Sequence, residues 1–217
     1  MSPGQRIVCG MEGRIYSWLM GAPSQRIVIA SFYCPPPRRS GVRVVGPVLR
    51  DAVRRAVPSS GPHLLVYFSN GRHHFSGRVE EALTALDCPV LVYGVGERAR
   101  QGNLEFRPPS NERFVEDLAA CRAVFATAGN QLISEALHLR KPLLLLPEDS
   151  LEQRLNAAAI ERMNVGMATR RRKVRAELLR QFLGREEQFA ASMPAVAADA
   201  GGSAAQAIEA FAAELCS

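Results

Sequence analysis

The stretch from Ala123 to Gly166, AVFATAGNQLISEALHLRKPLLLLPEDSLEQRLNAAAIERMNVG, constrains the fold of this chain more than any other. Ala123 to Ala126 is a short apolar run without alternation, which suits a strand buried on both faces of a parallel sheet. Thr127-Ala128-Gly129-Asn130 then turns the chain into a helix beginning near Gln131, with Leu132, Ala136 and Leu139 on an inward face. Pro142 to Pro147, PLLLLP, predicts a second buried strand. Glu148-Asp149-Ser150 leads into a second helix, with Asp149 or Ser150 as its cap and Leu151, Leu155 and Ala158 packing inward. Both helices begin just past the carboxyl end of a strand, which is where open α/β sheets put their ligands.

The residue types at those two helix starts suit a nucleotide. Gly129 is expected to adopt backbone angles that other residues avoid and to let a ligand come close. The first N–H groups of the following helix have no partner within it, and the helix dipole adds partial positive charge, so the turn is a natural diphosphate site. Glu135 stands four residues beyond Gln131, about 6 Å along the axis. A carboxylate touching phosphate would repel it; at ribose distance it accepts hydrogen bonds from the two ribose hydroxyls instead. Gln153 and Asn156, three apart on the second helix, suit sugar hydroxyls. The plainer reading makes Glu135, Gln153 and Asn156 exposed helix polars and Gly129 an ordinary turn residue.

Taken together, Ala-Gly-Asn-Gln-Leu-Ile-Ser-Glu-Ala-Leu, Lys-Pro-Leu-Leu-Leu-Leu-Pro and Glu-Gln-Arg-Leu-Asn-Ala resemble the donor-binding half of GT-B nucleotide-sugar glycosyltransferases, near the peptidoglycan N-acetylglucosaminyltransferase and the teichoic-acid-type transferase group. The resemblance covers roughly Phe32 to Gly166. It implies an α/β fold with a doubly wound, Rossmann-like parallel sheet, the single C-terminal half of a GT-B fold. It also implies that Gly129, Asn130, Gln131 and Leu132 hold the diphosphate of a UDP-sugar, that Glu135 binds ribose, and that Gln153 and Asn156 contact the donor sugar, with UDP-N-acetylglucosamine the first candidate. Glu152 stands where the peptidoglycan enzyme has a second Gln, which leaves the sugar open.

At 217 residues the chain is too short for both domains of such an enzyme. The expected organisation is a remnant or partner-contacting segment over residues 1–40 and a donor-binding domain over 41–217. A net charge of +6 favours anionic partners, but no motif or aromatic-studded basic patch points to nucleic acid. Cys9, Cys34, Cys88, Cys121 and Cys216 show no paired spacing, so neither disulfides nor zinc are expected. No other cofactor is implied. No signal peptide or spanning segment is visible, and the expectation is a cytoplasmic protein.

Before this core, Met1 to Gly13 has little pattern, Arg14 to Met20 predicts a short amphipathic helix, and Gln25 to Phe32 predicts a strand followed by a proline-rich connector. That strand lacks an evident sheet, so residues 14–32 are expected to pack unusually on the donor domain or to pair with a second copy or an acceptor-binding subunit. Val42 opens the donor domain, with a short helix through Arg55. His63 to Phe68, Pro89 to Tyr93 and Leu104 to Phe106 read as strands, with a helix over Ser76 to Leu86 and another, capped by Ser110, carrying Phe114, Leu118 and Cys121 inward. The loop Ser69 to Ser76 places Gly71, Arg72 and His74 where phosphate or acceptor contacts would lie, unless it is a polar surface loop; His73-His74 lacks a third metal ligand. The resembling enzymes read the uracil base from the loop after Phe106, so Arg107 is a candidate by position.

After Gly166, the basic run Thr169 to Arg175 is expected to open a helix to Leu183 and to form a solvated face or a contact with acidic lipid. Ser203 to Leu215 predicts a last helix with Ile208, Phe211 and Leu215 on its buried stripe. Function then reads as the donor-binding half of a hexosyltransferase completed by an acceptor-binding partner. Alternatives are a non-catalytic nucleotide-sugar-binding or interaction module left by truncation, and a UDP-sugar epimerase variant of the same fold.

Overall fold

The structure, a computed structural model, describes residues 26–34, 36–37, 39–69, 71–193 and 200–216. The expected helix over Arg14 to Met20 lies outside them. Six short strands form one parallel sheet: β3 (Leu64–Tyr67), β4 (Val90–Tyr93), β5 (Leu104–Phe106), β6 (Ala123–Ala126), β7 (Leu143–Leu145) and β8 (Gly166–Ala168), in the order β5-β4-β3-β6-β7-β8. Strands β4, β6 and β7 are buried along their whole length, which is why their sequences do not alternate. The register sets Tyr67 beside both Tyr93 and Ala126, and Ala126 beside Leu145, so the carboxyl ends lie level. The sheet grows in one direction from β3 and in the other from β6. Their shared carboxyl edge is the switch point at which doubly wound sheets open a crevice.

Two layers of helices cover the sheet. On one face lie α1 (Asp51–Arg55), α4 (Asn111–Ala120), α5 (Asn130–His138) and α6 (Leu151–Arg162), packed through Val53, Leu118, Ile133, Leu137 and Ile160 against Leu65, Val124 and Leu143. On the other lie α3 (Gly77–Thr84), α7 (Ala176–Leu183) and α8 (Glu186–Ala191), packed through Val79, Leu83, Leu179, Phe182 and Phe189 against Leu64, Val66, Phe125 and Leu144. A four-residue α2 (Gly71–His74) occupies the loop after β3. Lys141 is buried in the first layer, its ammonium donating to the carbonyls of Ser59 and Cys121, which closes the carboxyl end of α4. Burial lowers the pKa of this amine.

Four sequence expectations are corrected. The strand thought to lack a sheet, β1 (Ile27–Ala30), pairs in parallel with β2 (Val42–Val45) as a separate two-stranded sheet. Helix α9 (Ala200–Cys216) packs on that sheet with Ala207 and Phe211 buried, and Glu214 pairs at 2.9 Å with both Arg26 and Arg43. The helix is thus rotated from the expected stripe, leaving Ile208 and Leu215 exposed. The basic run does not open a helix directly: β8 precedes it, Arg171–Lys173 forms a 3₁₀ turn anchored by buried Val174, and α7 starts only at Ala176. On α6 the inward face is Gln153, Asn156, Ala157 and Ile160, spaced i, i+3, i+4, i+7. Leu155 is left 51% exposed.

This rotation makes a stability prediction. Ile160→Ala is expected to cost about 2–4 kcal/mol in urea denaturation, whereas Leu155→Ala should cost less than about 0.5 kcal/mol. Equal losses would restore Leu155 to the core.

Candidate functional site

The site is built around the turn between β6 and α5. Both backbone groups of Ala128 are held by the amides of α6: Gln153 Oε1 accepts from the Ala128 N–H at 3.0 Å, and Asn156 Nδ2 donates to the Ala128 carbonyl at 2.9 Å. Gln153 Oε1 also accepts from the Glu148 N–H at 2.9 Å, while its Nε2 donates to Glu148 Oε2 at 3.0 Å. The two residues expected to touch a sugar therefore brace the turn itself.

The brace aims the amino end of α5 outward. Gly129 is its N-cap, and no side chain caps it. The Gly129 backbone (φ −71°, ψ 136°) is ordinary extended geometry, so its angles do not require glycine. A Cβ placed there would meet nothing within 4 Å, so the position faces open space. The first amides of α5, from Asn130, Gln131 and Leu132, thus border open volume at the switch point.

One helical turn on, Glu135 is 1% exposed. Arg50, from the segment before α1, grips it with both prongs: Nε donates to Oε1 and Nη2 to Oε2, each at 2.7 Å. Gln131 Nε2 adds a bond to Oε1 at 2.7 Å. The hydrogen bond to Glu135 raises the pKa of the Arg50 guanidinium, against the opposing effect of its partial burial.

A cavity of about 560 Å³ runs from this pair to the opposite wall. Arg50, Thr127, Gly129, Gln131 and Glu135 line one side, while Tyr67, Tyr93 and Phe114 with Pro109 and Ser110 line the other. Phe114 meets Tyr67 and Tyr93 edge-on at 5.4 and 5.1 Å between ring centroids. The Tyr93 hydroxyl donates to Asp117 Oδ2 at 2.6 Å; burial, then that hydrogen bond, push its pKa up and keep it a donor. This side offers a largely aromatic wall.

The remaining expected residues fall beside the cavity. Arg107 turns its side chain to Glu105 at 3.0 Å and Asp117 at 3.6 Å, and its loop contributes Pro109 and Ser110 to the wall instead. Gly71 packs so tightly on Gly94 that a Cβ would lie 2.0 Å from the Gly94 carbonyl oxygen. His74 Nε2 lies 3.1 Å from Glu148 Oε1. The side chain of Arg72 is outside the described residues. Sequence reasoning missed Arg50 and Glu148, and the aromatic wall was read only as strand and helix core. Neither charged residue lies on a motif, and Arg50 meets Glu135 across 85 positions.

Residues 18–186, well over half of the chain, match the sequence family described as Glycosyl transferase family 1. The chain belongs to that family. Among solved structures, this glycosyl transferase family 1 chain is similar to CalG4, the calicheamicin glycosyltransferase (17% identity, TM-score 0.61, covering 97% of this chain and 59% of that one). It is also similar to Arabidopsis thaliana UGT89C1 complexed with UDP (15%, 0.60, 81% and 52%) and to Acinetobacter baumannii MurG (17%, 0.52, 79% and 55%). At these identities the likeness establishes the fold, one Rossmann-like half of a GT-B architecture. The chain spans between half and three-fifths of the length of these structures. No curated protein sequence matches it significantly. Among the described residues no helix is long and apolar enough to cross a membrane, and no group of His, Cys, Asp and Glu could hold a metal ion.

Arg50→Ala would leave the Glu135 carboxylate buried with only Gln131 as partner. Because the Arg50 side chain is itself 37% exposed, the expected loss is about 1–3 kcal/mol in thermal or urea unfolding. A loss near zero would show that Glu135 finds solvent without Arg50.

Proposed function

We propose that this chain is the donor-binding half of a glycosyltransferase that uses a UDP-sugar, with UDP-N-acetylglucosamine the first candidate, and transfers the sugar to an acceptor held by a second domain or subunit. The observation that carries this reading is the uncapped amino end of α5 opening, at the switch point, into a cavity with a buried carboxylate one turn away and an aromatic wall opposite.

Each part of such a donor has a chemically matched neighbour. The diphosphate meets the free amides and the positive dipole end of α5. The ribose diol reaches Glu135, whose carboxylate offers roughly four acceptor positions; Arg50 and Gln131 fill three. Gln131 is exposed and is displaced at little cost, which leaves two positions for the two hydroxyls while Arg50 stays in place. The retained guanidinium offsets the carboxylate charge, so the nearby diphosphate is not repelled. The base lies against Tyr67, Tyr93 and Phe114, with the Pro109–Ser110 backbone at its edge. As the glycosidic bond to phosphate breaks at the anomeric carbon, the same amides stabilise the charge gathering on the departing diphosphate. The residue that activates the acceptor hydroxyl belongs to the acceptor half.

Calorimetric titration with UDP and UDP-N-acetylglucosamine tests this. Both are expected to bind, and Glu135→Gln, which is isosteric but uncharged, should weaken both by about tenfold. A wild-type chain that unfolds cooperatively yet binds neither nucleotide would refute the donor site.

A further inference from the structure

The basic run after β8 borders a second cavity of about 770 Å³, which shares no lining residue with the donor cavity. It opens at the carboxyl ends of β7 and β8, between Asp149, Arg154 and Glu161 on one side and Thr169, Arg170 and Lys173 on the other. Strand β8 lies two strands from β6, so the strand ends that open the two cavities stand about 10 Å apart on one sheet edge.

The backbone of the run is held in place. The Thr169 N–H donates to the Leu145 carbonyl at 2.8 Å, the Lys173 N–H closes the 3₁₀ turn on the Arg170 carbonyl at 2.7 Å, and Val174 beyond it is fully buried. Arg78 donates to the Arg172 carbonyl at 3.1 Å, and Arg171 to the His73 carbonyl at 2.8 Å. Such ties fix where the side chains start, which lowers the ordering cost of binding.

Three donor groups line this cavity without partners. Thr169 is 7% exposed, yet its hydroxyl has no hydrogen-bond partner among the described residues. Buried hydroxyls are nearly always paired, so this one calls for an acceptor in the cavity. Arg170 and Lys173 are exposed and, among the described residues, neither has an ion-pair partner. The carboxylates of the wall are by contrast engaged: Asp149 pairs with Arg154 at 2.6 Å, Glu161 accepts from the Ala168 N–H at 3.1 Å, and Glu148 accepts from Gln153 at 3.0 Å. They repel an extended polyanion, while a compact anion beside Thr169 meets two cations and a hydroxyl.

We infer that this second cavity is an anion site for a phosphate group, with Thr169 donating a hydrogen bond and Arg170 and Lys173 supplying donors and charge. A phosphate group offers three acceptor oxygens to these three donors, where a carboxylate offers two. The site stands apart from the donor cavity and does not depend on the donor reading. Its phosphate belongs to a lipid headgroup or to a soluble phosphorylated molecule, and either is held at the sheet edge that carries the donor cavity.

Amide chemical shifts of the nitrogen-15-labelled chain during titration with inorganic phosphate test the site at Thr169 to Lys173, while Gly129 to Leu132 report any phosphate at the donor turn. Saturable shifts are expected at Thr169 to Lys173, and Thr169→Val, which keeps the shape and removes the hydroxyl, should weaken that binding about fivefold. The double variant Arg170→Gln with Lys173→Gln changes only exposed side chains; it should weaken phosphate binding by about tenfold or more and leave the UDP titration unchanged. If Thr169→Val shows no cooperative thermal transition, the double variant carries the test alone. Cosedimentation with phosphatidylcholine vesicles, with and without phosphatidate, separates the two sources. Binding only to phosphatidate vesicles, lost in the double variant, assigns the site to a lipid headgroup; phosphate shifts without vesicle binding assign it to a soluble molecule. Unmoved Thr169 to Lys173 amides in the wild type, or phosphate binding that the double variant leaves intact, overturns the site.

Discussion

The peptide of Ala128, held on both sides by Gln153 and Asn156, is the contact on which the rest of the site depends. A turn between a buried strand and a helix start has backbone groups that neither element satisfies, and leaving them bare inside the protein costs about 1–3 kcal/mol each. Here two amide side chains from the next helix satisfy them. This one device explains three features together. It turns the polar side of α6 inward, it leaves Leu155 in solvent, and it fixes the direction in which the amino end of α5 opens.

The balance of charge at that opening is set by Glu135 and Arg50. An anion at a helix amino end gains about 0.3–1 kcal/mol from the dipole, whereas a charge-assisted hydrogen bond contributes about 1.5–3 kcal/mol. A bare carboxylate one turn along would therefore cancel much of the attraction for a diphosphate. The two-pronged Arg50 contact removes that conflict while leaving the carboxylate able to accept further hydrogen bonds. The geometry separates an anion-attracting end from a hydroxyl-accepting interior within one turn of α5.

Much of the fold was legible in the sequence because its signals are local. Apolar runs without alternation, closed by Gly and Pro, mark β3, β4, β6 and β7, and the resemblance around Gly129 and Glu135 fell on a real strand–turn–helix unit. Periodicity also placed Glu135 one turn from the helix start. What stayed hidden depends on contacts between distant elements. The face of α6 was misread because apolar spacing favoured Leu151, Leu155 and Ala158, and nothing in the sequence shows that a backbone peptide will claim Gln153 and Asn156. Strand β8 is Gly-Met-Ala, three residues without β-branched character, made a strand by its pairing with β7. The α9 stripe was misplaced because Phe211 and Glu214 answer to Arg26 and Arg43, which the helix meets only after the chain has folded.

The central claim is that a nucleoside diphosphate sits at the amino end of α5 and against the aromatic wall. Amide chemical shifts of the nitrogen-15-labelled chain during titration with UDP test it most directly. The account predicts that the largest shifts fall on Gly129 to Leu132 and on Ser110 to Phe114, with the two-stranded sheet of β1 and β2 unmoved. Saturable UDP binding whose shifts centre elsewhere on the molecule, with Gly129 to Leu132 undisturbed, would contradict it.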